Sequence, residues 1–302
     1  MKLRRWFSSY AIFVALALEC LILSATTDTF FTSTNLLNVL RQNAFTAILA
    51  AGSTFVILTA GIDLSVGSVV GLTGVTCAGV LVHGGGLTLA VAAALGVGLL
   101  VGIINGAVVT WLRIPSFITT LAMMLVVRGA AYKVTDARTI SGLPESFGVL
   151  SGGTTAAAIM LGVFVLSWFV LMRTAFGRHV YAVGGNEEAA WLSGVRVPRV
   201  HRIVYAICGL SAGLAGVLVA SRLNAGYPRA GEYYELDAIA AVVVGGTSLF
   251  GGRGSIWGAL AGAFFIGILN NGLNLFQVST YDQLMVKGAV LLAAASLDRW
   301  RT

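Results

Sequence analysis

The stretch 87–112, LTLAVAAALGVGLLVGIINGAVVTWL, carries no charged side chain. It is longer than the roughly 20 residues a helix needs to cross the hydrocarbon core of a bilayer. Apolar and polar residues do not alternate along it as they do in a membrane-barrel strand, so it reads as helix. Similar runs recur along the chain, whose 302 residues are 57% hydrophobic and only 10% charged. A soluble domain carries about 25% charged residues, and no soluble core of this size hides so much apolar surface. Lipid is therefore the solvent, and water-soluble enzymes and binding modules are excluded.

The apolar runs predict about ten spans. They lie near 8–27, 44–60, 66–82, 87–112, 116–133, 154–172, 202–222, 237–250, 255–273 and 281–298. The eighth is short and flanked by glycines, as a broken or partly re-entrant element would be. The expected fold class is an all-α polytopic membrane protein, a single transmembrane domain over 1–302 with both termini cytoplasmic. An even number of spans puts both ends on one side, and the basic residues choose the side. With the N-terminus inside, Lys2, Arg4, Arg5, Arg113, Arg173, Arg178, Arg196, Arg199, Arg202, Arg253, Arg299 and Arg301 fall on the cytoplasmic side. Arg41, Arg128, Lys133, Arg138, Arg222, Arg229 and Lys287 are left for the outer side or the membrane, where Asp28, Asp136, Glu145, Glu232, Glu235, Asp237 and Asp282 also fall. This bias orients a bundle. The net charge of +7 is thus a topological signal, and nucleic acid is not an expected partner.

The first apolar run follows basic residues as a secretory signal does, but no small-x-small site ends it, and an uncleaved span is expected. Cys20, Cys77 and Cys208 fall inside predicted spans without C-x-x-C spacing and read as small core residues. His83, His179 and His201 are scattered, so no metal site is expected. The phosphate-loop pattern G-x-x-x-x-G-K-[ST] does not occur, so this chain cannot itself bind and hydrolyse ATP by that route, and energy, if used, comes from elsewhere.

Three features can carry function. The inner loop of about 173–201 contains GGNEEAAWLSG, from Gly184 and Gly185 to Ser193 and Gly194. Asn186 is a good N-cap, Glu187 and Glu188 suit the first turn, and Gly194 suits the left-handed C-terminal position. This predicts a helix of about two turns. Ala189, Ala190 and Leu192 give it a small apolar surface, either for a groove on a partner or for the membrane interface with Trp191 among the headgroups. The second feature is a weakly similar pair of glycine-rich interruptions, 59–74 and 244–262, containing Asp63, Ser65 and Ser248. They are either cavity-lining breaks or plain tight turns near the inner face. The third is intramembrane polarity. Asn270, Asn274 and Gln277, at i, i+4 and i+7, share a helical face that lines a passage or bonds a neighbouring helix. Glu19 and Lys287 must find water or partners, and pairing with each other is one solution.

At these motifs the chain resembles the membrane permease subunits of bacterial ABC importers for monosaccharides, the ribose, galactose and xylose type. The resemblance covers nearly the whole chain. It rests on AGIDLSVGS (Ala60 to Ser68), IPSFITTLAMMLVVRG (Ile114 to Gly129) and GRHVYAVGGNEEAAWLSGVRV (Gly177 to Val197), then ELDAIAAVVVGGTSLFGGRGS (Glu235 to Ser255) and ILNNGLNL (Ile268 to Leu275). A long basic N-terminus and Tyr233-Tyr234 depart from the pattern without touching a motif. The resemblance implies a ten-helix permease in the bacterial inner membrane, paired with a second copy or a paralogue around a central passage. It also implies two cytoplasmic ATPase subunits, which use ATP and Mg, and a periplasmic or lipid-anchored sugar-binding protein; this chain itself binds no cofactor. Residues 186–192 match the family's ATPase-coupling segment. Two rival readings remain: a branched-chain amino-acid permease of the same architecture, and a stand-alone transporter driven by an ion gradient, for which Glu19, Asp63 and Lys287 are the few intramembrane ionisable candidates.

Overall fold

A computed structural model describes residues 2–299. Arg301, and the side chains of Lys2, Arg4, Arg5 and Arg299, which contribute to the charge bias, lie outside the described residues. The described chain is helical, and a single β-bridge joins Ile140 to Gly226. In order the helices are α1 (Lys2–Thr26), α2 (Ser33–Leu58), α3 (Val66–Val82), α4 (Leu87–Trp111), α5 (Ser116–Thr135) and α6 (Gly153–Arg173). They continue with α7 (Ala175–Gly185), α8 (Glu187–Leu192), α9 (Val197–Leu223), α10 (Tyr234–Val244), α11 (Ile256–Leu275) and α12 (Thr280–Arg299), and a 3₁₀ turn at Glu145–Ser151 precedes α6. Each expected apolar segment is occupied by a helix, and α4, α5, α6, α9 and α11 are long and apolar enough to cross a membrane.

Helix α2 occupies the centre. Every residue from Asn43 to Leu58 is buried, as a helix apolar on all faces requires. It packs against α9 on one side and α10 and α11 on the other, with α6 alongside. Its start is well before the expected residue 44, because the polar turns around Asn35 and Arg41 continue the helix instead of forming a loop. Asn35 and Asn271 explain part of this: each donates its Nδ2 to the other's Oδ1, at 3.1 and 2.8 Å, and so ties α2 to α11.

The most extensive packing is between α4 and α9. Gly98, Gly102 and Gly106 lie at four-residue spacing on one face of α4, against the backbone of Gly209, Tyr205 and Arg202 on α9. A Cβ at Gly102 would strike the Tyr205 carbonyl, and one at Gly209 the Gly98 carbonyl. Lipid gives no hydrophobic drive for helices to associate, so small residues that permit such backbone contact supply the packing energy.

Two interruptions divide the bundle. After α2 the chain turns through Ala60 (φ 59°) and continues without helix to Val66. Its backbone is satisfied there by protein: the Ile62 carbonyl accepts from Thr120 Oγ1 at 3.2 Å and from the Tyr205 hydroxyl at 3.4 Å, while the Ile62 N–H donates to Ser116 Oγ. Backbone groups freed from a helix and removed from water need partners of this kind. The second interruption follows α10, which has 11 residues and a length of about 16 Å, half a bilayer core. It stops at Val244, short of the expected 250, because Gly245 abuts the Gly258 carbonyl and Gly246 takes a left-handed turn (φ 90°). The expected 173–201 loop also differs from a loop, since α7 and α8 fill most of it.

Candidate functional site

Helix α8 forms as its residues dictate. Asn186 Oδ1 accepts from the Ala189 N–H at 2.9 Å, and Gly194 closes the C-terminal end at φ 86°. Glu187 and Glu188 stand exposed in the first turn. Of the small apolar face, only Ala190 turns inward; Ala189 is exposed, and Trp191 and Leu192 are 64% and 72% exposed. A helix this short and this bare has surface to give to another body. Beside it opens a cleft of about 770 Å³ between α8, the α4–α5 turn and the start of α9, lined among others by Glu187, Arg113, His201 and Tyr205.

The residues just before α8 meet both interruptions. The Gly252 N–H donates to the Leu58 carbonyl at 2.9 Å, joining the 245–255 loop to the end of α2. Gly184 lies on the same spot, where a Cβ would strike the Leu58 carbonyl and the Gly252 nitrogen. Tyr181 donates its hydroxyl to the Gly254 carbonyl at 3.1 Å. Three chain segments distant in sequence are thus in backbone contact, and the glycines are what permit it.

Within the interruptions, Asp63 and Ser65 are buried and bonded. Asp63 Oδ1 accepts from the Ser65 N–H at 2.9 Å and from Ser65 Oγ at 2.6 Å, and Ser65 Oγ accepts from Asn105 Nδ2 at 2.9 Å. This network holds the start of α3 against α4. Ser248 is also buried; its N–H donates to the Arg253 carbonyl and its Oγ accepts from the Phe250 N–H, which shapes the loop leading to Gly252.

Asn270 and Asn274 share a face of α11 and line a polar cavity of about 110 Å³ bounded by α2, α10 and α12. Gln277 does not join them. The helix ends at Leu275, and Gln277 sits beyond it in the left-handed region (φ 55°). Across the cavity Lys287 Nζ donates to Asp237 Oδ2 at 2.9 Å, so the partner of Lys287 is Asp237 and not Glu19. Glu19 lies on α1 with both carboxylate oxygens buried and without a hydrogen-bond partner. Asp237, expected at the outer end of the eighth span, is buried in the first turn of α10. Gln42, Asn43 and Gln283 also line the cavity and were not singled out by pattern; a helical face of amides on α2 was the available signal, obscured by its reading as loop. Cys77 and Cys208 are buried free thiols, and Cys20 is half-buried. Among the described residues no cluster of three or more His, Cys, Asp or Glu is placed to hold a metal.

An apolar helical bundle with buried breaks, an interior polar cavity and a bare six-residue helix between α7 and α9 has the build of a membrane permease component. The sequence profile of the family described as "Branched-chain amino acid transport system / permease component" matches residues 35–295, and the chain belongs to that family. It is 45% identical over 304 residues to the ribose import permease protein RbsC of Escherichia coli K12, an alignment covering 98% of this chain and 95% of that protein. It is 47% identical to RbsC of Bacillus subtilis 168, with 95% and 91% covered, and 39% identical to the xylose transport system permease protein XylH of E. coli K12, with 96% and 91% covered. No solved structure matches the chain.

Proposed function

We propose that this chain is the membrane-spanning permease subunit of an ATP-driven ABC importer that moves a monosaccharide of the ribose type across the bacterial inner membrane. The observation that carries the reading is the match to two ribose import permeases at 45–47% identity over nearly the whole chain. About ten helices cross the membrane with both termini cytoplasmic; the charge bias supports this orientation. The functional unit comprises a second copy or paralogue, two cytoplasmic ATPase subunits that use ATP and Mg, and a periplasmic or lipid-anchored sugar-binding protein.

Residues Gly184, Gly185, Asn186, Glu187, Glu188, Ala189, Ala190, Leu192, Ser193 and Gly194 form the ATPase-coupling segment. Exposed Leu192 and Trp191 enter the partner's groove, and Glu187 and Glu188 meet its rim. When ATP draws the ATPase subunits together, α8 moves with them. Gly184 transmits that motion to the Leu58 carbonyl and the Gly252 loop at once, so both interruptions are displaced by one push. Asp63, Ser65 and Ser248 brace those interruptions and act in gating, while Asn270 and Asn274 face the translocation pathway with Gln277 at its mouth. A switch of this kind needs two packed states, each favoured by a different partner's binding. The chain does no covalent chemistry.

The test is uptake into proteoliposomes holding this chain with its ATPase and binding-protein partners. ATP-dependent accumulation of radiolabelled ribose or another monosaccharide is expected. The family's description supports branched-chain amino acids as the second reading, and accumulation of leucine in place of any sugar would replace the first. Uptake driven by a proton or sodium gradient without the ATPase would remove both.

A further inference from the structure

We propose that the inner end of the α4–α9 contact binds the phosphate headgroup of an anionic phospholipid, through Arg199, Arg202 and Trp111. The inference uses the cytoplasmic placement of these helix ends and is otherwise independent of what the chain transports.

Gly98 meets Gly209, Gly102 meets Tyr205 and Gly106 meets Arg202, so α4 and α9 pass each other in opposite directions. Arg202 is thus rooted about 7 Å inside the first residue of α9, opposite a residue as far inside the end of α4. An arginine at that depth extends its stem back toward the membrane surface. Its Nε donates to Thr110 Oγ1 at 3.1 Å, and its guanidinium carbon stands 5.2 Å from the centre of the Trp111 ring. These two contacts hold the guanidinium at the end of α4 while using one of its five N–H groups. Arg199, exposed, lies three residues earlier on the same face of α9. Among the described residues neither arginine pairs with a carboxylate. Two neighbouring guanidiniums with donors to spare match the oxygens of a phosphate.

The surroundings select a lipid over a soluble anion. Trp111 is 70% exposed and shares one face of α4 with Leu100 and Ile104, at i, i+4 and i+11, both of them exposed as well. In a bilayer that face meets hydrocarbon. Acyl chains lying along Leu100 and Ile104 bring their headgroup to the indole, at the depth where tryptophan settles, and on the cytoplasmic side the leaflet is the anionic one. Arg113, two residues beyond Trp111, is in a different position. It lines the cleft beside α8 together with Glu187 and Glu188, where carboxylates already answer its charge, and it is not part of the lipid site.

The experiment places the full chain with its ATPase subunits in phosphatidylcholine nanodiscs carrying a minor fraction of a brominated lipid, which quenches tryptophan on contact. The difference between this complex and its Trp111→Phe variant isolates the signal of Trp111. Brominated phosphatidylglycerol should quench it about threefold more than brominated phosphatidylcholine at equal mole fraction, because the site favours the anionic headgroup. Arg199→Gln and Arg202→Gln should each weaken that preference and together abolish it, while Arg173→Gln, at the separate Arg173–Trp168 pair, leaves it intact. Should Arg202→Gln disturb assembly, Arg199→Gln alone decides. Equal quenching by the two lipids would overturn the site, as would a preference unchanged in the arginine variants. Quenching by neither lipid would place the ATPase over the ring and overturn it too. Loss of the preference on adding inorganic phosphate would assign the arginines to a soluble anion instead. Sugar uptake by the same complex is read separately, so failure of the lipid site leaves the importer reading standing.

Discussion

Gly252 donates its N–H to the carbonyl of Leu58 at 2.9 Å, across nearly two hundred residues of sequence, and Gly184 rests on that same bond. A side chain at Gly184 has nowhere to go but into backbone. Gly184→Val is therefore expected to abolish ATP-dependent uptake while the protein still inserts and copurifies with its ATPase. Gly162→Ala on α6, whose Cβ meets open space, should keep uptake within about twofold, since a freely accommodated methyl changes packing little. Uptake in matched proteoliposomes, with quantitative immunoblots for insertion, checks both.

The α4–α9 contact is backbone on backbone, with Gly209 against the Gly98 carbonyl. Gly209→Ala places a methyl on the Gly98 carbonyl and should cost about 1–3 kcal/mol, read as a lowered midpoint of thermal unfolding in detergent. Gly96→Ala, on the partner helix α4, meets open space and should be neutral or stabilising by about 0.5–1 kcal/mol, because alanine is the better helix former. Equal effects at the two positions would contradict a backbone contact.

Helix α8 has six residues and cannot persist on propensity alone. Asn186→Ala removes its cap and should cost about 1 kcal/mol of local stability. Glu187→Arg or Glu188→Arg puts positive charge at the helix N-terminus and at the face offered to the ATPase. All three variants should lose ATPase in copurification and lose uptake, with insertion unchanged; the charge reversals should be the more severe.

Breaking the Asp237–Lys287 pair from one side leaves a buried charge. Lys287→Met alone should destabilise by about 3–5 kcal/mol, and the Lys287→Met/Asp237→Asn double variant should recover most of that loss. A thermal-unfolding double-mutant cycle measures the coupling, and additive losses would show that the two side chains act independently.

Most of the helices were legible because uninterrupted apolar runs admit few alternatives in lipid. Helix α8 was legible from its own caps, since Asn186 and Gly194 act within a single turn of backbone. Gln277 was not. A 3.6-residue period predicts a face but not where the helix stops, and here the stop is a non-glycine residue in the left-handed region, with no glycine to announce it. The ion pair was invisible for another reason: Asp237 and Lys287 lie 50 residues apart, and only the placement of α10 beside α12 brings them together. The start of α2 was misread because its amides look like loop until α11 is there to bury them. Glycine had the opposite character. Gly184, Gly251 and Gly252 were conspicuous as a motif, but their use, bringing three backbones together, depends on the assembled bundle.

The reciprocal amides of Asn35 and Asn271 act as a key in a shaft. Sliding α2 along α11 by even one residue, about 1.5 Å, would tear both bonds at once, with no other register of the pair to receive them. The pair thus fixes the register of α2 against α11 at one end of the two helices, while at the other end the Gly252 N–H on the Leu58 carbonyl joins the segments through backbone alone.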